Sequence, residues 1–585
     1  NANPANDYPH IDEKIRETYS TYSTTSNKLK AYDMYKRFLK WSSERIKDNG
    51  MVVFVSNNSF LDGKANDGVR RALYDEFDYI YTVNLKGDAR LAGEAWRKQG
   101  GKIFGQQARV GIAISFFIKT GENHSEIQYA EVPDYTTSKE KLKWLDDNAL
   151  STLEFKKIVP DRNATWLNQT DNNFDELPSV LPKDSKESIF ENVIVGINTG
   201  KDEWVYDINK KNLEKKMKFY ISIYNKELQN HENKQSKTNS IDWINKKIKW
   251  SHHTLEKLER GYTTKYSENN IRPTLYRPFV IKHQYCDSIV TEILGKFPDV
   301  FRNSQKNQLM VFSSPSSKTT FRVIGTDKIT DFHGIGDARC IPLWQYDENG
   351  NKSSNITEYG LKLFQKHYNN KEIHDEDIFY YVYAIFNDPK YEEIYQHNLC
   401  RSFPRFPLTE NFEKYSNIGK KLFDLHCNFD QVNEYGLKRI DKHANKNKIK
   451  LQLKREKEKI RIIIDDITTL ENIPKEIFEY TLGSRNPLEW LLEYFKESKH
   501  QISSKSSDDE NTRKQFNVYK FEDYKEELIT LLNKVTTVCV ETVKLRNQLK
   551  EMEWGTQPKL KFTKIIKNDA KKITKSKKTV KRKKK

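Results

Sequence analysis

Residues 27 to 119 alternate in an order that few folds accommodate: helix, strand, helix, strand, long polar loop, strand. Met34, Tyr35, Phe38, Leu39 and Ile46 make an apolar stripe at helical spacing over 27–48, and Asn49-Gly50 supplies a stop. Met51 to Ser56 (MVVFVS) is a continuous apolar run. Such a run suits a strand buried on both faces, in a parallel and central position. Asn57-Asn58-Ser59 turns at its end, Asn66 or Asp67 can cap a helix through Phe77, and Tyr79 to Leu85 is a second strand. A charge-dense loop ends in Lys102-Ile103-Phe104-Gly105, and an apolar strand follows at 110–119. The order predicts the second half of a doubly wound α/β sheet, whose cofactor-bearing strands would lie upstream.

From about residue 121 the grammar changes. Short strands, Trp-centred turns and Asn/Asp-rich loops alternate with charged helices, predicted at 208–234, 356–368, 375–397, 411–424 and 520–551. An Ile/Lys alternation over 448–465 predicts paired strands with a charged connector, and 496–515 predicts a polar loop. The fold class is therefore a partial doubly wound α/β domain (1–120), then a mixed α+β region (121–555) with room for two subdomains. Residues 556–585 form a Lys-rich tail expected to be disordered.

The chain has 585 residues, too many for one hydrophobic core. Its formal charge of +18 is unevenly placed: the tail holds fourteen Lys or Arg against one Asp, so the other 555 residues carry only +5. Such a tail can hold phosphates without reading sequence, or simply keep the chain soluble. Cys286, Cys340, Cys400, Cys427 and Cys539 are far apart with no CxxC pair. That spacing argues against a zinc site or a disulfide framework and fits a reducing compartment. Neither a membrane-spanning apolar run nor a signal peptide is visible. The chain opens NANPANDYPHIDEKIRETY, without Met, and reads as a piece of a longer protein. No G-x-G loop after a strand, P-loop or helicase signature occurs in it.

Several stretches together resemble the methyltransferase and target-recognition portion of type ISP-like restriction–modification proteins. In the first part these are YPHIDEKIRETY, GMVVFVSNNSFLDGKANDGVRRAL and residues 87–119; in the second, VPDRNATWLNQ, GINTGKDEWVYD, LYRPF, DEDIFYYVYAIFNDPKY, FPRFPL and YTLGSRNPLEW. The resemblance implies a gamma-class adenine-N6 DNA methyltransferase: 1–120 as the late part of its catalytic domain, 121–555 as its target-recognition domain. It also implies that the Asn-Pro-Pro-Tyr motif and the S-adenosylmethionine loop lie upstream, with no metal in the methyl-transfer step. Double-stranded DNA is the expected partner, upstream helicase and nuclease domains are expected on the same polypeptide, and the setting is the cytoplasm, at the nucleoid.

Within that frame Phe104 is the candidate to stack on a flipped adenine, because enzymes that modify a base hold it between apolar faces outside the duplex. A turn or core aromatic is the bland alternative. Gly105 lets the backbone pass close to the nucleotide or merely turns, and Arg109 faces a phosphate or solvent. Asn57 and Asn58 contact a ligand or form the turn. Arg90, Glu94, Arg97 and Lys98 border DNA or a neighbouring domain.

In the recognition half, Tyr276-Arg277-Pro278-Phe279 with Lys282, His283 and Tyr285 predicts a turn whose aromatics pack and whose cations face outwards, positioning the backbone of DNA rather than reading bases. Ser314 to Arg322, with Lys318 and Arg322, is a second DNA-facing candidate. His333 has no clustered partners and reads as structural, with no metal. Asn387-Asp388-Pro389-Lys390-Tyr391 imitates a D-P-P-Y motif but follows a helix, so it reads as a helix-ending turn. No Cys lies in a Pro-Cys context, which disfavours cytosine-C5 methylation through a thiol nucleophile. The alternative function is a non-enzymatic DNA-specificity module working with a separate catalytic chain. An RNA-binding protein ranks below both, for want of any RNP-type aromatic motif.

Overall fold

The computed structural model describes residues 7–555 apart from 26–27, 92, 106–107, 123, 171, 182–186, 234–243, 302–304, 316–319, 445–446, 457–458 and 484. The basic tail lies outside the described residues. The chain divides into two compact units, one within Asn1–Asn173 and one within Phe174–Gln557.

The first unit holds strands β1 (Gly50–Asn57), β2 (Tyr79–Lys86), β3 (Ile112–Lys119), β4 (Glu126–Glu131) and β5 (Lys156–Ile158), and helices α1 (Pro9–Ile15), α2 (Met34–Ser43), α3 (Asp67–Glu76), α4 (Gly93–Gln99) and α5 (Ser138–Asp147). The three strands expected from the sequence share one sheet, in the order β1-β3-β2-β4-β5. The unit runs to Asn173, past the boundary expected at 120/121, because β4 and β5 complete the same sheet.

β1 corrects a second expectation. Among the described residues it is the outermost strand of its sheet and pairs antiparallel with β3, which runs between β1 and β2 and pairs antiparallel with both. Val52 of β1, Ile80, Phe117 and Ile127 are buried with residues of α2 and α3, including Leu39, Val69 and Leu73. On its other face Met51, Val53 and Val55 remain 55%, 45% and 56% exposed. They lie opposite Ile118, Phe116 and Ile114 of β3. An apolar run shows that both faces of a strand suit burial; it does not show that both are covered. The helix predicted over 27–48 is also shorter. Asp33 is extended and precedes α2, so 28–32 forms a separate 3-10 turn.

The second unit contains β6 (Ile194–Val195), β7 (Tyr206–Asp207), β8 (Ile271–Arg277), β9 (Val280–Tyr285), β10 (Leu309–Phe312), β11 (Val323–Thr326), β12 (Ile329–Thr330) and β13 (Arg339–Pro342). These form two four-stranded sheets, β11-β10-β13-β6 and β12-β8-β9-β7. β14 (Trp344–Tyr346) and β15 (Lys352–Ser354) make a hairpin. β16 (Lys438–Asp441), β17 (Gln452–Glu456), β18 (Lys459–Ile463) and β19 (Thr468–Glu471) form a third four-stranded sheet, ordered β16-β19-β18-β17, which includes the strand pair expected over 448–465.

The helix predicted over 375–397 is two, Asp375–Asn387 and Pro389–Leu399. Proline has no N–H to continue the ladder, and the Asp388 carboxylate accepts from Lys390 N at 2.9 Å to start a new helix. The same carboxylate accepts from Tyr415 Oη at 3.0 Å and Trp554 Nε1 at 2.9 Å, so Asn387 to Tyr391 is a buried structural turn. Gly419 packs helix Phe412–Cys427 so closely on the first of these helices that a Cβ there would lie 1.9 Å from Tyr380 O. The stretch 496–515, expected as a loop, contains a 3-10 turn at Glu497–Lys499 and enters helix Glu510–Phe516. Asp509 caps that helix and Phe516 is buried in the core.

His426 lies wholly inside this unit. Its Nδ1 is 2.5 Å from Tyr383 Oη and its Nε2 3.0 Å from Thr542 Oγ1. Burial, with the Arg546 guanidinium adding to it, pushes the imidazole down to about 3. The folded state therefore resists a proton that the unfolded chain takes up near pH 6.5. Stability from this group is complete above that value and is lost as pH falls towards 3. Between pH 7 and pH 5 the expected loss is about 2 kcal/mol. Urea midpoints at the two pH values test it, since His426→Gln should remove that share of the difference and leave the share of His500, which burial also pushes down to about 3.

Candidate nucleic-acid interface

In the first unit β1 and β2 both end at one edge of the sheet. The segment that leaves β2 at Lys86 re-enters β3 at Ile112, which is registered with both Asn57 and Lys86. Phe104 is carried on this connection, two residues after Lys102, which packs beside Gly87 just past the carboxyl end of β2, and is 52% exposed. Gly105 has φ +32°, and a Cβ there would meet nothing within 4 Å. The positive φ turns the backbone beside Phe104, and the space over the glycine is open.

Buried polar groups fix the base of this connection. Lys141 of α5 is fully buried and donates to Gln99 O at 2.7 Å and Gly101 O at 2.6 Å. Burial, reinforced by the Lys86 ammonium, lowers it to about 8. Ser138 Oγ donates to Lys102 O at 2.6 Å, and Gly101 N donates to Thr136 O at 3.0 Å. Gly100, at φ +64°, lies so near the chain that a Cβ would sit 2.0 Å from Thr136 O. The sequence reading missed Lys141. Its signal was available, because it occupies a position three residues before Trp144 on the inward face of an amphipathic helix.

The other candidates of this unit divide. Asn57 Oδ1 accepts from Ser59 N at 2.9 Å and forms the turn. Asn58 Nδ2 donates to Asn84 Oδ1, Asn84 Nδ2 donates to Tyr129 Oη, both at 2.9 Å, and Tyr129 Oη donates to Glu131 at 2.6 Å. This ladder ties the strand ends together and leaves both asparagines engaged in structure. Arg90 is held by Asp88 in a two-pronged pair at 2.7 and 2.6 Å. Arg97, Lys98 and Arg109 are exposed on the Phe104 connection, a basic surface of the kind that meets phosphates. The side chain of Glu94 lies outside the described residues.

In the second unit the expected outward cations point inward. Arg277 is 7% exposed, with Nη1 2.7 Å from Asp331 Oδ1 and Nε donating to Tyr494 Oη at 3.1 Å. Burial disfavours its charge, but the Asp331 carboxylate outweighs that and holds the guanidinium cationic. Lys282 is buried too, its ammonium 4.4 Å from the Tyr276 ring centroid, and burial with the Lys216 charge brings it down to about 7. Tyr285 is buried and His283 half-buried. Arg322 joins Glu392 at 2.5 Å and Thr481 O at 2.8 Å, linking distant segments of the fold. Lys318 lies outside the described residues. The turn Pro278-Phe279 is as anticipated, with Phe279 at φ +59° and fully buried, but its cations build the interior instead of meeting DNA.

His333 donates its backbone N–H to Asp331 Oδ1 at 2.8 Å and packs its ring against Phe332. No group of three or more His, Cys, Asp or Glu among the described residues could hold a metal ion. No helix among them is long and apolar enough to cross a membrane.

The described chain therefore joins a five-stranded α/β sheet carrying an exposed aromatic to a larger unit of small sheets with buried ion pairs. Residues 188–531 match the family described as the Type ISP C-terminal specificity domain, and the chain belongs to that family. Solved structures agree over nearly its whole length. A DrdV–DNA complex is 34% identical with a TM-score of 0.82, matched over 94% of this chain and 55% of that one. A nuclease-deletion mutant of the Type ISP restriction–modification enzyme LlaGI, with a DNA substrate mimic, is 31% identical at TM-score 0.80, over 94% and 51%. The ATP-dependent Type ISP enzyme LlaBIII bound to DNA is 28% identical at TM-score 0.78, over 94% and 36%. The chain thus spans about half, or less, of the length of these relatives. No curated protein matches it.

Proposed function

We propose that this chain supplies the late part of the catalytic domain and the DNA-specificity module of a site-specific adenine-N6 DNA methyltransferase of a restriction–modification system. The observation that carries the reading is Phe104: a large aromatic, half exposed, clamped at its base, on the connection that leaves the carboxyl edge, where doubly wound sheets present their ligands. A base drawn out of the duplex needs such a face to stack on. Exposed Arg97, Lys98 and Arg109 on the same connection suit the phosphates of the extruded nucleotide's strand.

S-adenosylmethionine does not fit the residues present. Asn57 and Asn58, the polar side chains at the end of β1, are spent on the turn and on Asn84. In this reading a further cofactor-bearing part covers the open face of β1, burying Met51, Val53 and Val55. Helicase and nuclease parts accompany it, as the greater length of the Type ISP relatives allows.

The protein from the complete gene, given duplex DNA and S-adenosylmethionine labelled in its methyl group, should place the label on the N6 atom of adenine in one sequence context. Digestion to nucleosides followed by chromatography reads this out. Selective binding to that context with no label transferred would instead favour a specificity module that serves a separate catalytic chain.

A further inference from the structure

Outside the tail the chain carries a net charge of only +5, and one segment accounts for all of it. Residues 448–461, KIKLQLKREKEKIR, contain seven Lys or Arg and two Glu, so the remaining 541 residues before the tail sum to zero. Its described residues are the approach to β17, β17 itself and the start of β18. β17 is the last strand of its sheet, and four of its five residues are exposed. Ile460 and Ile462 of β18 face the core and anchor the ribbon, while Lys448, Lys454 and Lys459 are exposed.

Lys454 lies directly opposite Arg461 in the antiparallel register, and like charges so placed repel. Glu456 pairs with Arg461 and Asp466 with Lys450, which leaves Lys448 and Lys454 without an ion pair among the described residues, while Lys459 lies opposite the Glu456 already engaged by Arg461. Arg455 is held with its guanidinium 5.2 Å from the Phe478 ring centroid. Charged edge strands also protect against unwanted strand pairing. That protection is indifferent to sign, however, and a seven-to-two excess of cations, continued onto the inner strand β18, is not.

We infer that the β17–β18 ribbon is a DNA-backbone contact of the specificity unit, its exposed lysines set against phosphates of the duplex. A two-stranded ribbon is of a size that the major groove admits, and lysine heads along its rim reach the flanking phosphates. Such contacts set register and orientation but carry no sequence information of their own. The inference rests on the proposed DNA-directed function and names a surface that the motif resemblance did not.

The test is a triple variant, Lys448→Gln, Lys454→Gln and Lys459→Gln, in the whole chain with its tail, titrated with target and random duplexes at several salt concentrations. A companion variant carries the same charge change on exposed Lys371, Lys414 and Lys421. Removing three phosphate contacts should reduce the slope of log affinity against log salt by about 2 to 3, and weaken both duplexes roughly ten- to a hundredfold at 0.15 M salt. The preference for target over random duplex should persist, and the companion should bind like the parent. A ribbon variant indistinguishable from the parent, or an equal loss in the companion, would overturn the assignment. Failure of the parent itself to bind any duplex would overturn the proposed function instead.

Discussion

Asp331→Ala is expected to lower the unfolding free energy of the second unit by about 3–5 kcal/mol, the range for leaving one partner of a buried ion pair uncompensated. Asp331 is 1% exposed, and its carboxylate accepts from Arg277 Nη1 at 2.7 Å, Tyr206 Oη at 3.0 Å and His333 N at 2.8 Å. Without it, the Arg277 guanidinium stays in the interior with Tyr494 Oη and its neighbour's carbonyl, and the only carboxylate left among its described partners is that of Asp202, at 4.0 Å. Exchanging both partners, Arg277→Leu with Asp331→Leu, should be milder than the single change, because no charge is then stranded. Urea unfolding followed through the buried Trp204 measures this. A loss below about 1 kcal/mol would mean that Arg277 either pairs with Asp202 instead or turns out to solvent, and the further change Asp202→Asn separates the two, since only the first would then become costly.

That contrast shows which parts of the chain were legible. The three strands and most helices were readable, because apolar periodicity is local and survives in one sequence. The pairing of β1 was not. A run such as MVVFVS records what its faces tolerate, whereas its neighbour β3 arrives from beyond a 25-residue connection. The cations of the second unit were misread for the same reason. Arg277 meets Asp331 54 residues away and Arg322 meets Glu392 70 residues away, so charge alone could not tell an ion-paired interior arginine from one facing phosphate. Turn signals fared better: Pro278-Phe279 and Asp388-Pro389 are turns, since proline fixes the backbone wherever the segment comes to lie. Phe104 was legible only as an aromatic in a polar loop. Its exposure and the Lys141 clamp beneath it needed the fold.

Phe104→Ala in the complete protein should reduce adenine methylation while leaving duplex binding near the parental level. Stacking a base on an aromatic contributes on the order of 1–3 kcal/mol, which is roughly a 5- to 150-fold change in the population of the extruded state. Phe104→Trp should retain most of the activity, because the face is kept although the size changes. Truncation is not expected to unfold the unit, since half of the ring already meets solvent and a Cβ at Gly105 beside it would meet nothing within 4 Å. Lys141→Met supplies a second, independent handle. It removes the donor that holds the carbonyls of Gln99 and Gly101, so the ring stays but its seat loosens. That variant should show a smaller fall in turnover, and Lys141→Arg should recover part of it. A duplex with 2-aminopurine at the target position reports extrusion by its rise in fluorescence. Parent and Phe104→Trp should brighten it, Phe104→Ala should do so much less, and equal fluorescence with equal turnover in Phe104→Ala would remove Phe104 from the site.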